Sequence, residues 1–116
     1  MQPEEKDAAL LWDIKTASLD IIEFTSETSF HEFESDKMMR YAVERQILVI
    51  GEAAKGISSS LQERTPDIPW STIIAQRNIL AHEYGEILVE RVWRVVKEHI
   101  PKLLIQIEPF IPDLPE

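Results

Sequence analysis

The sequence contains no cysteine and only three glycines, and each scarcity excludes a class of functional site. Without cysteine the chain forms no disulfide, no thiolate zinc site and no thiol nucleophile, so a metal would have to be bound by His, Asp or Glu. Without a glycine-rich segment, neither a phosphate-cradling loop nor a dinucleotide-binding turn fits the sequence. Any catalytic chemistry must therefore come from other side chains.

Long apolar runs are also missing. No run approaches the roughly 20 residues needed to cross a bilayer, and the first six residues, Met-Gln-Pro-Glu-Glu-Lys, do not resemble a secretory signal. We therefore predict a cytoplasmic protein without a membrane partner. At 116 residues, 44% of them hydrophobic, the chain suits one domain, which we expect to span residues 1–116 with its core at about 7–107.

The formal net charge of −9 argues against a nucleic-acid partner, because affinity for a phosphate backbone comes mainly from Lys and Arg. The charge is uneven, however. Residues 77–102 contain five basic and four acidic side chains, which leaves seven basic against seventeen acidic ones elsewhere. Composition alone favours a protein that does not bind nucleic acid, but most of the acidity lies outside the segment with the most informative motif.

Four segments have the apolar periodicity of amphipathic helices. They lie at about 8–26, 36–57, 69–84 and 87–107. Ser35 or Asp36 is expected to cap the second helix. Pro69 is expected to open the third helix and Gly85 to end it. Pro101 should kink the fourth helix, and the tail at 108–116, which contains three prolines, is expected to be extended.

No segment alternates with a period of two for long enough to form a strand, so we predict an all-α bundle of four or five helices. The segment between the first two helices, at 25–35, is interpreted as a connection. The first helix carries a second apolar stripe at Trp12, Leu19 and Ile22. This stripe suggests burial against a second copy of the chain in a symmetric dimer.

The second helix has a polar side as well as an apolar one. The polar side carries Arg40, Glu44, Gly51, Glu52 and Lys55. One interpretation is a solvated face with ordinary ion pairs within the helix. The other is the lining of a cleft, for which Glu44 and Glu52 are candidates.

The segment Arg77-Asn78-Ile79-Leu80-Ala81-His82-Glu83-Tyr84 collects polar side chains on one flank of the third helix. Asn78 and His82 are four residues apart and share a face, whereas Arg77 and Tyr84, seven apart, align about 100° away. These residue types suit RNA cleavage in which the ribose 2'-hydroxyl attacks the adjacent phosphorus. His82 would act as base or acid and Arg77 would bind phosphate oxygens. Asn78 would orient the imidazole or the phosphate, and neither a metal nor another cofactor is required.

One imidazole cannot be base and acid at the same moment, so a second His82 from a partner chain would complete the site. A structural alternative stays open, because an Arg and a His at this spacing are frequent by chance. Arg77 could pair with a neighbouring Glu, and His82 could be an ordinary surface residue. His31 and His99 lack a comparable setting and are interpreted as structural.

The wider pattern resembles a known family. Arg77, His82 and Tyr84 follow the Arg-x4-His-x-Tyr signature of HepT toxins, which belong to the HEPN superfamily. Residues 41–55 resemble the long central helix of that family, and residues 68–70 resemble the entry to its motif helix. The similarity extends from about residue 7 to residue 104.

The resemblance implies an HEPN-like helical dimer, with the two motifs facing each other across a cleft, and a metal-independent endoribonuclease toxin. It also implies a partner, a minimal nucleotidyltransferase antitoxin of the MNT type that transfers AMP to the motif tyrosine, here Tyr84. The added phosphate would compete for Arg77 and exclude RNA. The runner-up is a non-enzymatic module, in which the helical dimer is the accessory subunit of a nucleotidyltransferase.

Overall fold

The computed structural model describes residues 3–82 and 89–112, with side chains for residues 5–77 and 89–112. Its elements are α1 (Pro3–Phe24), α2 (Phe30–Ser35), α3 (Lys37–Gly56), α4 (Ser59–Arg64), α5 (Trp70–His82), α6 (Val89–Arg94), a π turn (Val95–His99), α7 (Ile100–Ile107) and a 3-10 turn (Glu108–Phe110). The described ranges contain no strand, which confirms the predicted all-α bundle. None of their helices has both the length and the hydropathy of a membrane-spanning segment.

The core forms where the long helices pack on one another. α3 packs against α1 on one side and α5 on another, while α7 packs against α1. The segments predicted to be amphipathic helices supply most of the buried side chains, among them Ile14 and Ile21 of α1, Val43 of α3 and Ile107 of α7, all fully buried. α3 is therefore the element on which the position of α5 depends.

The predicted cap of α3 is Asp36, whose Oδ1 accepts a hydrogen bond from the Met39 N–H at 3.0 Å. Immediately before it, the structure differs from the prediction of a connection at 25–35, because α2 occupies the second half. Ser29 and Glu32 form a reciprocal capping box there, and Phe33 is fully buried. A cap and one buried aromatic side chain thus sustain a helix too short to show periodicity.

α4 is the second short helix that periodicity does not reveal. Ser58 caps it, since its hydroxyl accepts from the Leu61 N–H at 3.1 Å. Asp7 of α1 fixes this cap: its carboxylate accepts hydrogen bonds from the Ser58 N–H at 2.9 Å and the Ser58 hydroxyl at 2.6 Å. The contact ties the start of the chain to the segment that leads into α5.

Pro101 is accommodated by the π turn that precedes it. Proline has no N–H and its ring crowds the preceding turn, so the normal helical bond to the carbonyl of Lys97 is impossible. The chain inserts one extra residue, and the Ile100 N–H bonds to the carbonyl of Val95. The sequence predicts a kink here, and the π turn is the form that the disturbance takes. Beyond α7, the tail begins with the 3-10 turn where the sequence predicts extended chain.

The start of α5 is anchored by a buried polar contact. The Trp70 indole N–H donates to the Thr65 hydroxyl at 2.9 Å, and that hydroxyl donates to the carbonyl of Leu61 at 2.8 Å. Trp70 and Thr65 are both buried. The helix begins at Trp70, one residue later than expected, with Pro69 directly before it. Since a buried indole N–H without a partner costs about 1–3 kcal/mol, the contact fixes where α5 starts.

Candidate active site

Arg77 lies on α5 where this helix meets α3. Its Nε atom is 3.0 Å from Oε2 of Glu52, and the arginine side chain is only 25% exposed. Glu52, one of the two cleft candidates on the polar side of α3, is therefore the direct neighbour of Arg77. Its side chain is 62% exposed, so the ion pair is solvated and contributes no more than about 1 kcal/mol to stability. Its effect is to orient the guanidinium.

Gly51 makes the close approach of the two helices possible. A Cβ atom at this position would overlap Cβ of Arg77 and lie 2.7 Å from its Cγ. Sequence reasoning noted Gly51 only as part of a polar stripe. The glycine itself indicates close packing, because glycine inside a helix costs about 1 kcal/mol relative to alanine and is usually explained by a neighbouring group that leaves no room for a side chain. Here the neighbouring group is the aliphatic part of the Arg77 side chain, which packs directly against Gly51.

Glu44, the other cleft candidate, lies on the same face of α3 as Gly51. Seven residues separate them, which corresponds to two helical turns or about 10 Å along the axis. The carboxylate is half-buried, and loss of hydration raises its pKa, an effect that the positive charge of Arg40 partly opposes. The stripe thus contains a carboxylate whose pKa the fold raises.

The remaining predicted site residues are described only in part. Asn78 and His82 both lie on α5, which is continuous to His82, so the helix that the motif requires is present. Their side chains lie outside the described residues, as do Tyr84 and the predicted helix stop at Gly85. The roles of Asn78, His82 and Tyr84 remain predictions that rest on the motif.

The other histidines have different surroundings. His31 is exposed on α2. His99, which ends the π turn, is also exposed, but its Nδ1 lies 3.3 Å from Nε2 of Gln76 on α5. Within the part of the chain that the structure describes, no group of three or more His, Asp or Glu side chains is arranged to hold a metal ion.

Replacing Glu44 with glutamine should stabilise the protein at neutral pH. Because the pKa in the folded state is raised above the ordinary 4.5, the folded form favours a proton on Glu44. That favourable contribution is complete below pH 4.5 and is lost as the pH rises through the raised pKa. We expect Glu44→Gln to have a higher Tm than the parent at pH 7, and the difference to shrink toward zero at pH 4.

The control is Glu63→Gln on α4, an exposed carboxylate replaced by the same amide. Surface substitutions of this kind usually change stability by less than about 0.5 kcal/mol. A Tm difference for Glu44→Gln that grew on acidification would contradict this account.

Gly51→Ala should destabilise the protein, whereas Gly56→Ala should not. Both substitutions lie on α3, where alanine gains at most about 1 kcal/mol of helix propensity over glycine, and less at the helix end at Gly56. At Gly51 the new methyl group overlaps the stem of Arg77, and overpacking of this kind typically costs about 1–3 kcal/mol. At Gly56 it meets only the flexible end of Leu10, at 3.0 Å. Urea unfolding of the two variants measures the difference, and equal stabilities would disprove close packing at Gly51.

The sequence also matches known proteins. It fits the family model described as Ribonuclease HepT-like over residues 14–110. A protein of Methanocaldococcus jannaschii provisionally named an RNase is 41% identical over 100 residues, which are 86% of this chain and 92% of the relative. A second protein of that organism, named in the same way, is 37% identical over 114 residues, 98% of each chain.

A protein of Thermococcus cleftensis, provisionally named ribonuclease HepT, is 40% identical over 103 residues, 89% of this chain and 92% of the relative. No solved structure matches the sequence. The family match includes all of α3 and α5 and hence the contact between Gly51, Glu52 and Arg77. The chain therefore belongs to the Ribonuclease HepT-like family, and its activity is that of an endoribonuclease.

Proposed function

We propose that this protein is a metal-independent endoribonuclease toxin of the cytoplasm, which cleaves RNA by attack of a ribose 2'-hydroxyl on the adjacent phosphorus. The catalytic residues are Arg77, Asn78 and His82. The observation that carries the proposal is the position of Arg77 at the contact between α3 and α5. There the aliphatic part of its side chain packs against Gly51, and its Nε forms an ion pair with Glu52. A guanidinium held in this way, one residue before Asn78, suits the binding of a phosphodiester.

Arg77 stabilises the charge that develops on the phosphate oxygens as the 2'-oxygen attacks phosphorus. The exposed ion pair with Glu52 does not prevent this, because it is worth at most about 1 kcal/mol, whereas a charge-assisted bond to phosphate contributes about 1.5–3 kcal/mol. His82 takes the proton of the 2'-hydroxyl or gives one to the leaving 5'-oxygen. The products are a 2',3'-cyclic phosphate and a free 5'-hydroxyl, and Asn78 orients the imidazole or the phosphate.

A symmetric dimer supplies the second imidazole that the reaction needs. Trp12 and Leu19, seven residues apart on one face of α1, are 38% and 45% exposed in the single chain, whereas Ile22, the third member of the predicted stripe, is partly buried against the core. Large apolar side chains left exposed at helical spacing support the prediction of a second copy packed against this face. In the dimer, the two motifs would face each other across a cleft, with one His82 as base and the other as acid.

The antitoxin is a nucleotidyltransferase of the MNT type, and its target is Tyr84. This part of the proposal rests on the resemblance of the motif, in which Tyr84 follows His82 by two residues. Transfer of AMP from ATP to the tyrosine hydroxyl forms a phosphodiester and releases pyrophosphate. The added negative charge and bulk compete with RNA for Arg77.

A second candidate is a non-enzymatic accessory subunit of the nucleotidyltransferase. The net charge of −9 favours it, because an acidic surface repels RNA at long range. Membership of a ribonuclease family favours the enzyme instead. The two candidates differ in whether the isolated protein cleaves RNA.

Purified, unmodified protein should cleave total RNA in the presence of EDTA and leave cyclic phosphate ends. Arg77→Ala and His82→Ala should each lower the rate by at least about 100-fold, because each removes a group that acts in the transition state. Arg64→Ala is the matched control, since Arg64 is exposed on α4. Gel analysis of end-labelled RNA measures the rates. Absence of cleavage by unmodified, dimeric protein across several RNA classes would favour the accessory subunit.

Incubation with the antitoxin and ATP should add one AMP to the wild-type chain and abolish its cleavage of RNA. Tyr84→Phe should cleave RNA at a rate close to wild type and should escape both effects, since it lacks the acceptor hydroxyl. Mass spectrometry of the intact chain measures the modification. Modification of Tyr84→Phe by AMP would show that the acceptor is another residue.

A further inference from the structure

A cavity of about 340 Å³ opens between α5 and the helix formed by the π turn and α7. Its volume lies within the range of about 300–1,000 Å³ that is typical of small-ligand pockets. The walls are aliphatic and come from α3, α5, the π turn and α7; they are formed by Ile47, Ile50, Ile73, Val95, Ile100 and Leu103. The catalytic proposal above uses none of these side chains.

Polar groups gather at the mouth of this cavity. Gln76 of α5 and His99 of the π turn both line it, and Nε2 of the glutamine is 3.3 Å from Nδ1 of the histidine. Lys102 adds a positive charge, and Asp67 is the one carboxylate among the described lining residues. The carbonyl of Asp67 accepts a hydrogen bond from the Gln106 amide at 2.8 Å, which ties α7 to the loop before α5 and holds the opening in shape.

Aliphatic walls with polar and positively charged groups at the opening favour a ligand that has a flat ring, hydrogen-bonding groups on the edge of the ring and an attached phosphate. Aliphatic walls on several sides suit the faces of a heteroaromatic ring. An amide offers donor and acceptor together, and a neutral imidazole does the same, so Gln76 and His99 suit the mixed edge of a nucleobase. A hydrocarbon chain would leave these polar groups unused, and an inorganic anion would leave the aliphatic interior unused.

The cavity lies next to the contact between Arg77 and Gly51. Gln76 and Arg77 are consecutive on α5, with Cα atoms about 3.8 Å apart and side chains that diverge by about 100°. Ile50 and Gly51 are consecutive on α3 in the same way. Ile50 lines the cavity, while Gly51 leaves room for the side chain of Arg77. On each of the two helices, a residue that lines the cavity is therefore followed directly by a residue of the phosphate site.

We propose that the cavity binds a nucleobase of the RNA strand whose phosphate Arg77 holds, and that Gln76 and His99 select which base is accepted. The inference rests on the proposed ribonuclease function and extends it to the choice of cleavage position. It also gives His99, interpreted from sequence as structural, a role in recognition. The π turn serves this role, because it carries both Val95 and His99 to the cavity.

Nucleotide binding tests the cavity without requiring cleavage. The four nucleoside 5'-monophosphates are titrated separately and followed by ligand-detected NMR, with wild type, Thr72→Trp and Ser71→Trp. Thr72 and Ser71 are consecutive and exposed on α5, but only Thr72 lines the cavity. We expect at least one nucleotide to bind, with its affinity lowered at least tenfold by Thr72→Trp and unchanged by Ser71→Trp. Equal affinities in the two variants would overturn the proposal.

Mapping of cleavage ends then tests selection of the base. Gln76→Leu keeps the size of the side chain but removes its hydrogen-bonding amide. We expect this variant to cut RNA in the presence of EDTA with an altered base preference at or beside the cleavage site. An unchanged preference in Gln76→Leu and Thr72→Trp, with cleavage intact, would overturn the cavity proposal and leave the ribonuclease function standing. If wild type itself did not cleave any RNA, the ribonuclease function would fail, and with it the assignment of the cavity to an RNA strand.

Discussion

The close packing of α5 on α3 at Gly51 is the contact on which the rest of the site depends. Because Gly51 has no side chain, the stem of Arg77 lies directly against the backbone of α3, and Glu52 is within reach of the guanidinium. The same contact fixes the position of α5 along α3 and so places Gln76 beside the cavity. A single methyl group at residue 51 would disturb all three features. The anchor of Trp70 on Thr65 fixes the other end of this arrangement, at the start of α5.

Arg77 is paired with an acidic side chain in a protein that is acidic as a whole. The chain carries 21 acidic side chains against 12 basic ones, so its long-range field opposes RNA. Glu52 orients Arg77 through a solvated ion pair that is weak enough to yield to a phosphate. Glu44, on the same face of α3, is half-buried, and loss of hydration raises its pKa. In the proposed mechanism, specific contacts at Arg77 rather than long-range attraction therefore supply the affinity for RNA.

Much of this arrangement is predictable from the sequence, and the parts that are not have physical reasons. Apolar periodicity, the cap at Asp36 and the disturbance at Pro101 yield the long helices. The short helices α2 and α4 are not predicted, because they depend on caps at Ser29 and Ser58, on burial of Phe33 and on the contact between Ser58 and the distant Asp7. The motif identifies Arg77, but its pairing with Glu52 joins two helices and depends on their packing. The contact between His99 and Gln76 is not predictable from the sequence, because it depends on the π turn and on the packing of two helices.

The most direct test of the account is the 15N resonance of the Arg77 side-chain Nε–H, assigned by its loss in Arg77→Lys. It is followed while the protein is titrated with an RNA that carries a 2'-deoxy nucleotide at the cleavage position and therefore binds without being cut. If Arg77 holds the scissile phosphate, this resonance should shift as the complex forms and should saturate with the binding curve. A resonance that stays unchanged while the RNA binds elsewhere on the protein would contradict the account.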